Sequence, residues 1–162
     1  MKAAGCNELI ADRPFAEACR MIARHGFQGV ELAPYTLADD PTRISPSRIG
    51  ELRRTIEDAG LRCVGPHWLL KAPAGLHLTT PDPAIRRRSW ESLRALVDLC
   101  AGLGGEVMVL GSGKQRNAQG IDPGAARANL IEGLAELAPA AAAASVRILL
   151  EALPEAATNV VN

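Results

Sequence analysis

The sequence alternates between helical and strand-like segments, and this alternation limits the folds open to it. Apolar residues three or four positions apart predict four helices: residues 14–25, residues 46–59, a long helix opened by Asp82-Pro83, and another opened by Asp122-Pro123. Short apolar runs predict five strands, at residues 2–6, 29–34, 61–65, 106–110 and 146–150. Because a helix lies between successive strands, the strands run parallel and are joined by crossover helices.

This repeat is close to that of a (β/α) barrel, but 162 residues are too few for a complete one, which needs about 250. We therefore predict a partial (β/α) TIM barrel as a single domain, residues 1–162. It would have five parallel strands and four crossover helices and stop before the fifth helix. The alternative is a complete five-stranded doubly wound sheet, which normally ends with a helix, and no helical pattern follows Leu150. Pro139 is expected to break or kink the last helix.

Composition narrows the range of partners. Lys and Arg together number 18, as do Asp and Glu, so the formal net charge is zero and neither nucleic acid nor an anionic membrane is an expected partner. The longest uncharged apolar stretch, residues 137–146, is too short to span a bilayer. The four cysteines are widely separated and lie in apolar patterns, which favours free thiols and a cytoplasmic location over disulfides.

Polar residues follow the predicted strands, at the edge where parallel α/β proteins gather their chemistry. In chain order they are Glu8 after the first strand, Glu31 inside the second, His67 and Trp68 after the third, Lys114, Gln115 and Arg116 after the fourth, and Glu151 after the fifth. The opposite edge has mainly helix-ending glycines. This asymmetry indicates an active site at the carboxyl ends of the strands.

The strand-end residues have chemistry suited to a small polar substrate, although each also has a structural interpretation. Glu151 can bind a divalent cation or act as a base on a carbon acid, or it can be a solvated strand-end residue. His67 can donate or accept a proton near neutral pH, or it can be a hydrogen-bonded structural residue. Trp68 can form an apolar wall against a sugar face or pack a loop.

The Gly-Ser-Gly-Lys segment is not a nucleotide-binding P-loop. That motif needs a glycine at the position of Met108 and a Ser or Thr at that of Gln115. Lys114, Gln115 and Arg116 can still bind an anionic or polyhydroxylated substrate from a Gly-rich turn, or form an exposed polar loop.

Several short motifs together resemble a known family. They are CNE at 6–8, GFQGVEL at 26–32, GPHWLL at 65–70, GLHLTT at 75–80, GSGKQR at 111–116 and LEALP at 150–154. They are similar to those of the xylose-isomerase-like TIM-barrel superfamily, in its sugar phosphate isomerase/epimerase branch.

The resemblance implies a divalent metal, often Mn²⁺, Mg²⁺ or Co²⁺, in the barrel mouth. The family's ligands are a Glu after strand five, an Asp after strand six, a His after strand seven and a Glu after strand eight, and Glu151 matches the first. Glu151 would then be both metal ligand and one of two bases that move a proton next to a carbonyl. His67 would line the substrate site, and Glu8 and Lys114–Arg116 would contact substrate.

Two departures from the family put the metal site in doubt. Three of its four ligands have no counterpart, so a monomer of this chain should lack a full metal site. Relatives also tend to have an acidic residue where this chain has Ala157, and often a Pro where it has Gly113.

Three hypotheses follow. The first is a metal-dependent sugar or sugar-phosphate isomerase/epimerase, with this chain as an N-terminal portion that is inactive alone. The second, an apurinic-site endonuclease, is disfavoured by the absence of a His after the fourth strand and by the zero net charge. The third is a non-catalytic module that self-associates as a homo-oligomer through the exposed edges of its first and fifth strands.

Overall fold

The computed structural model describes residues 2–162 and contains five strands and four long helices. In chain order these are β1 (Ala4–Cys6), α1 (Phe15–Arg24), β2 (Gly29–Leu32), α2 (Pro46–Asp58), β3 (Arg62–Pro66), α3 (Pro83–Gly102), β4 (Val107–Leu110), α4 (Pro123–Ala143) and β5 (Arg147–Leu150). All observed strand pairs are parallel. The predicted partial TIM barrel is therefore confirmed, and the strands within residues 2–162 do not close into a cylinder.

Local sequence signals explain where the helices begin. The side chain of Asp82 accepts hydrogen bonds from the backbone N–H groups of Ala84 and Ile85, and Pro83 occupies the first turn of α3. Asp122 and Pro123 repeat this arrangement at α4. An acidic cap followed by proline satisfies free N–H groups and presets the first helical φ angle, so both helix starts were predictable.

The five strands lie side by side in chain order. Hydrogen bonds join β1 to β2 and β2 to β3, and β4 pairs with β5. β3 and β4 meet where the Glu106 N–H donates to the Val64 carbonyl at 3.2 Å. At Gly65 a Cβ atom would overlap the Val107 carbonyl, so a glycine allows this close approach. The carboxyl ends of all five strands consequently lie along one rim.

The two faces of the strands differ in burial. On the helix-facing side, Val30, Leu32, Met108 and Leu110 are fully buried in the hydrophobic core. Val64 and Leu149, on β3 and β5, remain 41% and 50% exposed. Large apolar side chains at this exposure show that part of the strand surface not covered by the helices is open to solvent.

Pro139 was expected to break or kink the last helix, and the break does not occur. α4 continues past this residue to Ala143. Pro139 itself is exposed, whereas Leu137 and Ala141 on either side are buried in the core. Packing of these neighbours holds the segment helical despite the backbone hydrogen bond that proline cannot make.

The structure also bears on two expectations from composition, namely free thiols and the absence of a membrane-spanning segment. All four cysteines are free thiols, and Cys19, Cys63 and Cys100 are buried. None of the helices within residues 2–162 combines the length and the hydropathy that spanning a bilayer requires.

Candidate functional site

A cavity of about 580 Å³ lies at the carboxyl ends of the strands. It is lined by Glu31, His67, Trp68, Lys71, Val109, Gly111, Ser112, Gly113, Lys114, Gln115, Glu151, Leu153, Ala156 and Ala157. This volume lies within the range typical of small-molecule sites. The cavity brings together five of the residues predicted from sequence, namely His67, Trp68, Lys114, Gln115 and Glu151.

Glu151 follows β5 directly, and its N–H donates to the Leu110 carbonyl at 3.2 Å. Its carboxylate occupies space that a side chain at position 111 would take, because a Cβ on Gly111 would overlap Oε2. Within residues 2–162 this carboxylate forms no hydrogen bond or ion pair, and the residue is exposed. It is therefore free to accept a proton or a ligand.

His67 is held by contacts on its backbone and on one ring nitrogen. Its N–H donates to the Leu32 carbonyl at 2.9 Å. Ring Nε2 lies 3.0 Å from Cys6 Sγ and 3.9 Å from a Glu8 carboxylate oxygen. Within the described part of the chain Nδ1 has no hydrogen-bond partner, which leaves that nitrogen available to a substrate.

Glu8 contacts His67 and Tyr35 but does not line the cavity. The Tyr35 hydroxyl donates to Glu8 Oε1 at 2.5 Å. This hydrogen bond, with burial and the carboxylate charge, raises the pKa of Tyr35 to about 12, because ionising the phenol would break the bond and place two negative charges together. Burial likewise raises the pKa of the Cys6 thiol.

Trp68 forms one wall of the cavity together with a cation and a second ring. Its side chain is half exposed, and its ring centroid lies 6.4 Å from that of Tyr35. Lys71 Nζ lies 4.0 Å from the Tyr35 ring centroid and 4.5 Å from the Trp68 ring centroid, within cation–π range. Sequence reasoning had not selected Lys71, although it stands three positions after Trp68.

The loop after β4 has one unsatisfied polar atom at the cavity. Ser112, which lines the cavity, has a left-handed backbone with φ of 44°. Its Oγ is buried and has no hydrogen-bond partner among residues 2–162. A ligand hydroxyl or phosphate oxygen in the cavity could satisfy it.

Arg116 is not brought to the cavity. It is fully buried, and its guanidinium donates to the carbonyls of Gly111 and Val160 at 2.6 Å and also to that of Glu151. These bonds tie the loop after β4 to the segment after β5. Burial lowers the pKa of this guanidinium, and the Glu151 charge opposes that shift.

A second group of polar side chains lies at the ends of the first three strands. Possible ligand atoms of Cys6, Glu31 and His67 all lie within 4.8 Å of one another. Glu31 was named among the polar residues at the strands but given no role, and Cys6 was not predicted as a site residue. The sequence shows only that Cys6 ends the first strand and that Glu31 lies inside the second. It does not show that the two residues are neighbours, because that depends on the strand register.

Comparison with known proteins identifies the family. The family model described as "Xylose isomerase-like TIM barrel" matches residues 19–162. The chain belongs to this family. The resemblance noted in the sequence is thereby confirmed at the family level.

Solved structures related to this xylose isomerase-like chain include several sugar epimerases. D-psicose 3-epimerase in the presence of D-fructose matches 100% of the chain with a TM-score of 0.81 and 18% identity. D-psicose 3-epimerase with D-tagatose, from Clostridium cellulolyticum H10, matches 100% of the chain with a TM-score of 0.80 and 22% identity. The apo form of 3-keto-D-glucoside 4-epimerase from E. coli matches 94% of the chain with a TM-score of 0.74 and 17% identity. These identities establish a shared fold.

The chain covers 56%, 56% and 57% of these three structures, little more than half of each. A search of curated protein sequences found no match. The described residues therefore correspond to only part of a complete family barrel.

The donor set at Glu151 does not fit the metal that the family implies. Within residues 2–162, the one group of three ligand-type side chains whose ligand atoms all lie within 4.8 Å of one another is that of Cys6, Glu31 and His67, and it does not include Glu151. A single carboxylate cannot supply the several oxygen or nitrogen ligands that a divalent cation requires. The described residues thus offer one ligand at that position.

Proposed function

We propose that the complete protein is a sugar or sugar-phosphate isomerase/epimerase that transfers a proton next to a carbonyl group. The observation that carries this proposal is the presence of Glu151 and His67 in one cavity at the carboxyl ends of the strands. The family match and the epimerase neighbours give it further support.

In this proposal Glu151 is a base. Its carboxylate accepts the proton from the carbon beside the sugar carbonyl, and the electron pair of the broken C–H bond moves toward the carbonyl oxygen. Delivery of a proton to the same carbon by a second acid on the opposite face gives an epimer. Return of the proton to the former carbonyl carbon, with transfer of the adjacent hydroxyl proton to the former carbonyl oxygen, gives an isomer. Gly111 leaves the carboxylate room to reach the substrate.

The other cavity residues bind and orient the sugar. Trp68 offers a partly exposed ring face for the apolar side of a sugar, and Ser112 Oγ and Gln115 offer hydrogen bonds to its hydroxyls. Lys114 supplies a positive charge for a phosphate, and His67 Nδ1 bonds a sugar hydroxyl. Glu8 acts from outside the cavity by holding Tyr35, and Arg116 by anchoring the loop after β4.

A divalent metal of the family type, Mn²⁺, Mg²⁺ or Co²⁺, would stabilise negative charge on the sugar oxygens. Glu151 is the one residue of the family's ligand set that this chain matches, and within residues 2–162 it belongs to no group of three ligand-type side chains whose ligand atoms lie within 4.8 Å of one another. We therefore expect the isolated 162-residue chain to be inactive.

We also expect it to be a cytoplasmic protein, given its buried free thiols.

Tryptophan fluorescence can test sugar binding directly. The chain has two tryptophans, so a Trp90→Phe variant leaves Trp68 as the only indole reporter. We expect ketohexoses or ketose phosphates to change its emission in a saturable way. Glu151→Gln should weaken this binding at least about tenfold, a loss of about 1.4 kcal/mol. Glu155→Gln, an exposed carboxylate outside the cavity lining, is the matched control and should bind normally.

Proton transfer is tested in a complete barrel containing this chain. Deuterium from the solvent should enter the sugar at the carbon beside the carbonyl, and Glu151→Gln should abolish its entry. Absence of sugar binding and of deuterium entry would overturn the proposal. Deuterium entry catalysed by the isolated chain would contradict only its expected inactivity.

Self-association is a second candidate function, favoured by the open strand edges. Within residues 2–162, β1 pairs only with β2 and β5 only with β4. Leu149 on β5 is half exposed, and unpaired backbone beside apolar side chains favours pairing with another chain. We propose a second copy of this chain as the partner, a possibility that sedimentation velocity tests.

A further inference from the structure

Three neighbouring strands place a thiol, a carboxylate and an imidazole together in a cluster that does not include Glu151. Cys6, the last residue of β1, is in register with Glu31 on β2, and Glu31 is in register with Gly65 on β3. His67 follows two residues after Gly65 and lines the cavity with Glu31. The parallel register thus brings three different metal-binding groups into one row.

The distances within this row are close to those of a tetrahedral metal site. Zn–S and Zn–N bonds of about 2.3 and 2.0–2.1 Å place tetrahedral donors about 3.4–3.6 Å apart. Cys6 Sγ and His67 Nε2 are 3.0 Å apart, and all three donors lie within 4.8 Å of one another. Small side-chain movements, opening the Cys–His contact and closing the others, would therefore accommodate an ion.

We propose that Cys6, Glu31 and His67 bind a divalent zinc-type ion at the ends of β1, β2 and β3. A thiolate combined with an imidazole selects zinc over Mg²⁺ or Mn²⁺, which prefer all-oxygen ligands. Three protein ligands leave a fourth position for water or a substrate atom, as in catalytic zinc sites. Binding releases the Cys6 thiol proton to solvent, since the thiolate is the ligand.

This site shares the cavity with Glu151 through Glu31 and His67, but it does not use Glu151 as a ligand. The proposed ion takes Nε2 of His67 and leaves Nδ1 for the sugar. All three ligands belong to the described chain, so the site does not depend on the rest of a barrel.

Cobalt absorption tests the site without reference to activity. Titrating the 162-residue chain with Co²⁺ should saturate at one ion per chain and produce a thiolate-to-cobalt charge-transfer band. Excess Zn²⁺ should abolish this band by displacing Co²⁺. Mg²⁺ should not displace it.

Variants identify the ligands. Cys6→Ser should abolish the band, and Glu31→Gln should weaken Co²⁺ binding at least about tenfold. Cys63→Ala, which removes a buried thiol from β3, should retain the band, as should Glu151→Gln. Circular dichroism shows whether each variant is folded. If Cys6→Ser does not fold, the weakened Co²⁺ binding expected of Glu31→Gln tests the site instead.

A chain that binds no cobalt, or a band that survives in Cys6→Ser, would overturn the zinc site. Loss of the band in Glu151→Gln would also contradict it. Failure of the site is distinguishable from failure of the isomerase proposal, because sugar binding is measured separately through Trp68 and Glu151.

Discussion

At the scale of single residues, Gly111 has no side chain and so leaves the space that the Glu151 carboxylate occupies. A Cβ there would overlap the carboxylate, which is the movable end of a flexible side chain. Gly111→Ala should therefore displace the carboxylate and weaken sugar binding at least about tenfold in the Trp68 assay, a loss of about 1.4 kcal/mol. The free energy of unfolding should change by less than about 1 kcal/mol.

Gly50→Ala is the control for this experiment. Gly50 lies in α2, and the nearest atom to its new Cβ would be an Arg54 nitrogen at an ordinary 3.5 Å. Alanine should stabilise the helix by about 0.5–1 kcal/mol and leave sugar binding unchanged. If Gly111→Ala and the unmodified chain bind sugar equally well, sugar binding does not depend on the position of the Glu151 carboxylate.

The hydrogen bond between Tyr35 and Glu8 predicts a pH dependence. Because the folded protein raises the pKa of Tyr35 from 10.0 to about 12, this contact stabilises the fold fully below about pH 10. That contribution is lost as the pH rises toward 12. Tyr35 is the only tyrosine, so tyrosinate absorbance reports its ionisation alone. Glu8→Gln should move the titration midpoint toward 10, and an unchanged midpoint would contradict this account.

Sequence reasoning identified the residues at strand ends but could not give their contacts. Strand periodicity placed His67, Trp68 and Glu151 at one edge, because parallel strands share a direction. It could not reveal that Arg116 is buried, since its partners include the Val160 carbonyl, far away in the chain. The Cys6–Glu31 pairing depends on strand register, which apolar patterns alone do not determine.

At the scale of elements, helix starts were predictable because their signals are local. Asp82 and Asp122 cap the helices that begin at the next residue, as expected from an acidic residue before proline. The end of α4 was not predictable, because the continuation past Pro139 depends on core packing of Leu137 and Ala141. Local propensity was overridden there by tertiary contacts.

Pro139→Ala should stabilise the protein. The substitution restores a backbone N–H donor in α4 and removes a ring that crowds the preceding turn, and the exposed position leaves room for alanine. We expect a gain of about 1–3 kcal/mol in the free energy of unfolding, measured by urea denaturation. Ala138→Gly, at the exposed neighbouring position, should instead lose about 1 kcal/mol. A loss of stability in Pro139→Ala would contradict this prediction.

At the scale of the whole molecule, an incomplete barrel exposes surface that a closed barrel would enclose. The helices cover one side of the strands, while Val64 and Leu149 remain exposed at 41% and 50%. The site and this surface are linked, because the cavity opens on the same strands, with Glu31 and Val109 in its lining. A chain that pairs with β5 would lie next to Glu151, which directly follows that strand.

The Leu149→Lys variant tests whether a second copy covers this surface. A lysine on β5 would have to be desolvated beside the paired strand, which opposes association. In sedimentation velocity we expect the unmodified chain to associate, and Leu149→Lys to raise its dissociation constant at least about tenfold. Ile131→Lys, at a 61% exposed position on α4, is the control and should associate normally. A strictly monomeric unmodified chain, or dissociation caused only by Ile131→Lys, would contradict association through the strand edges.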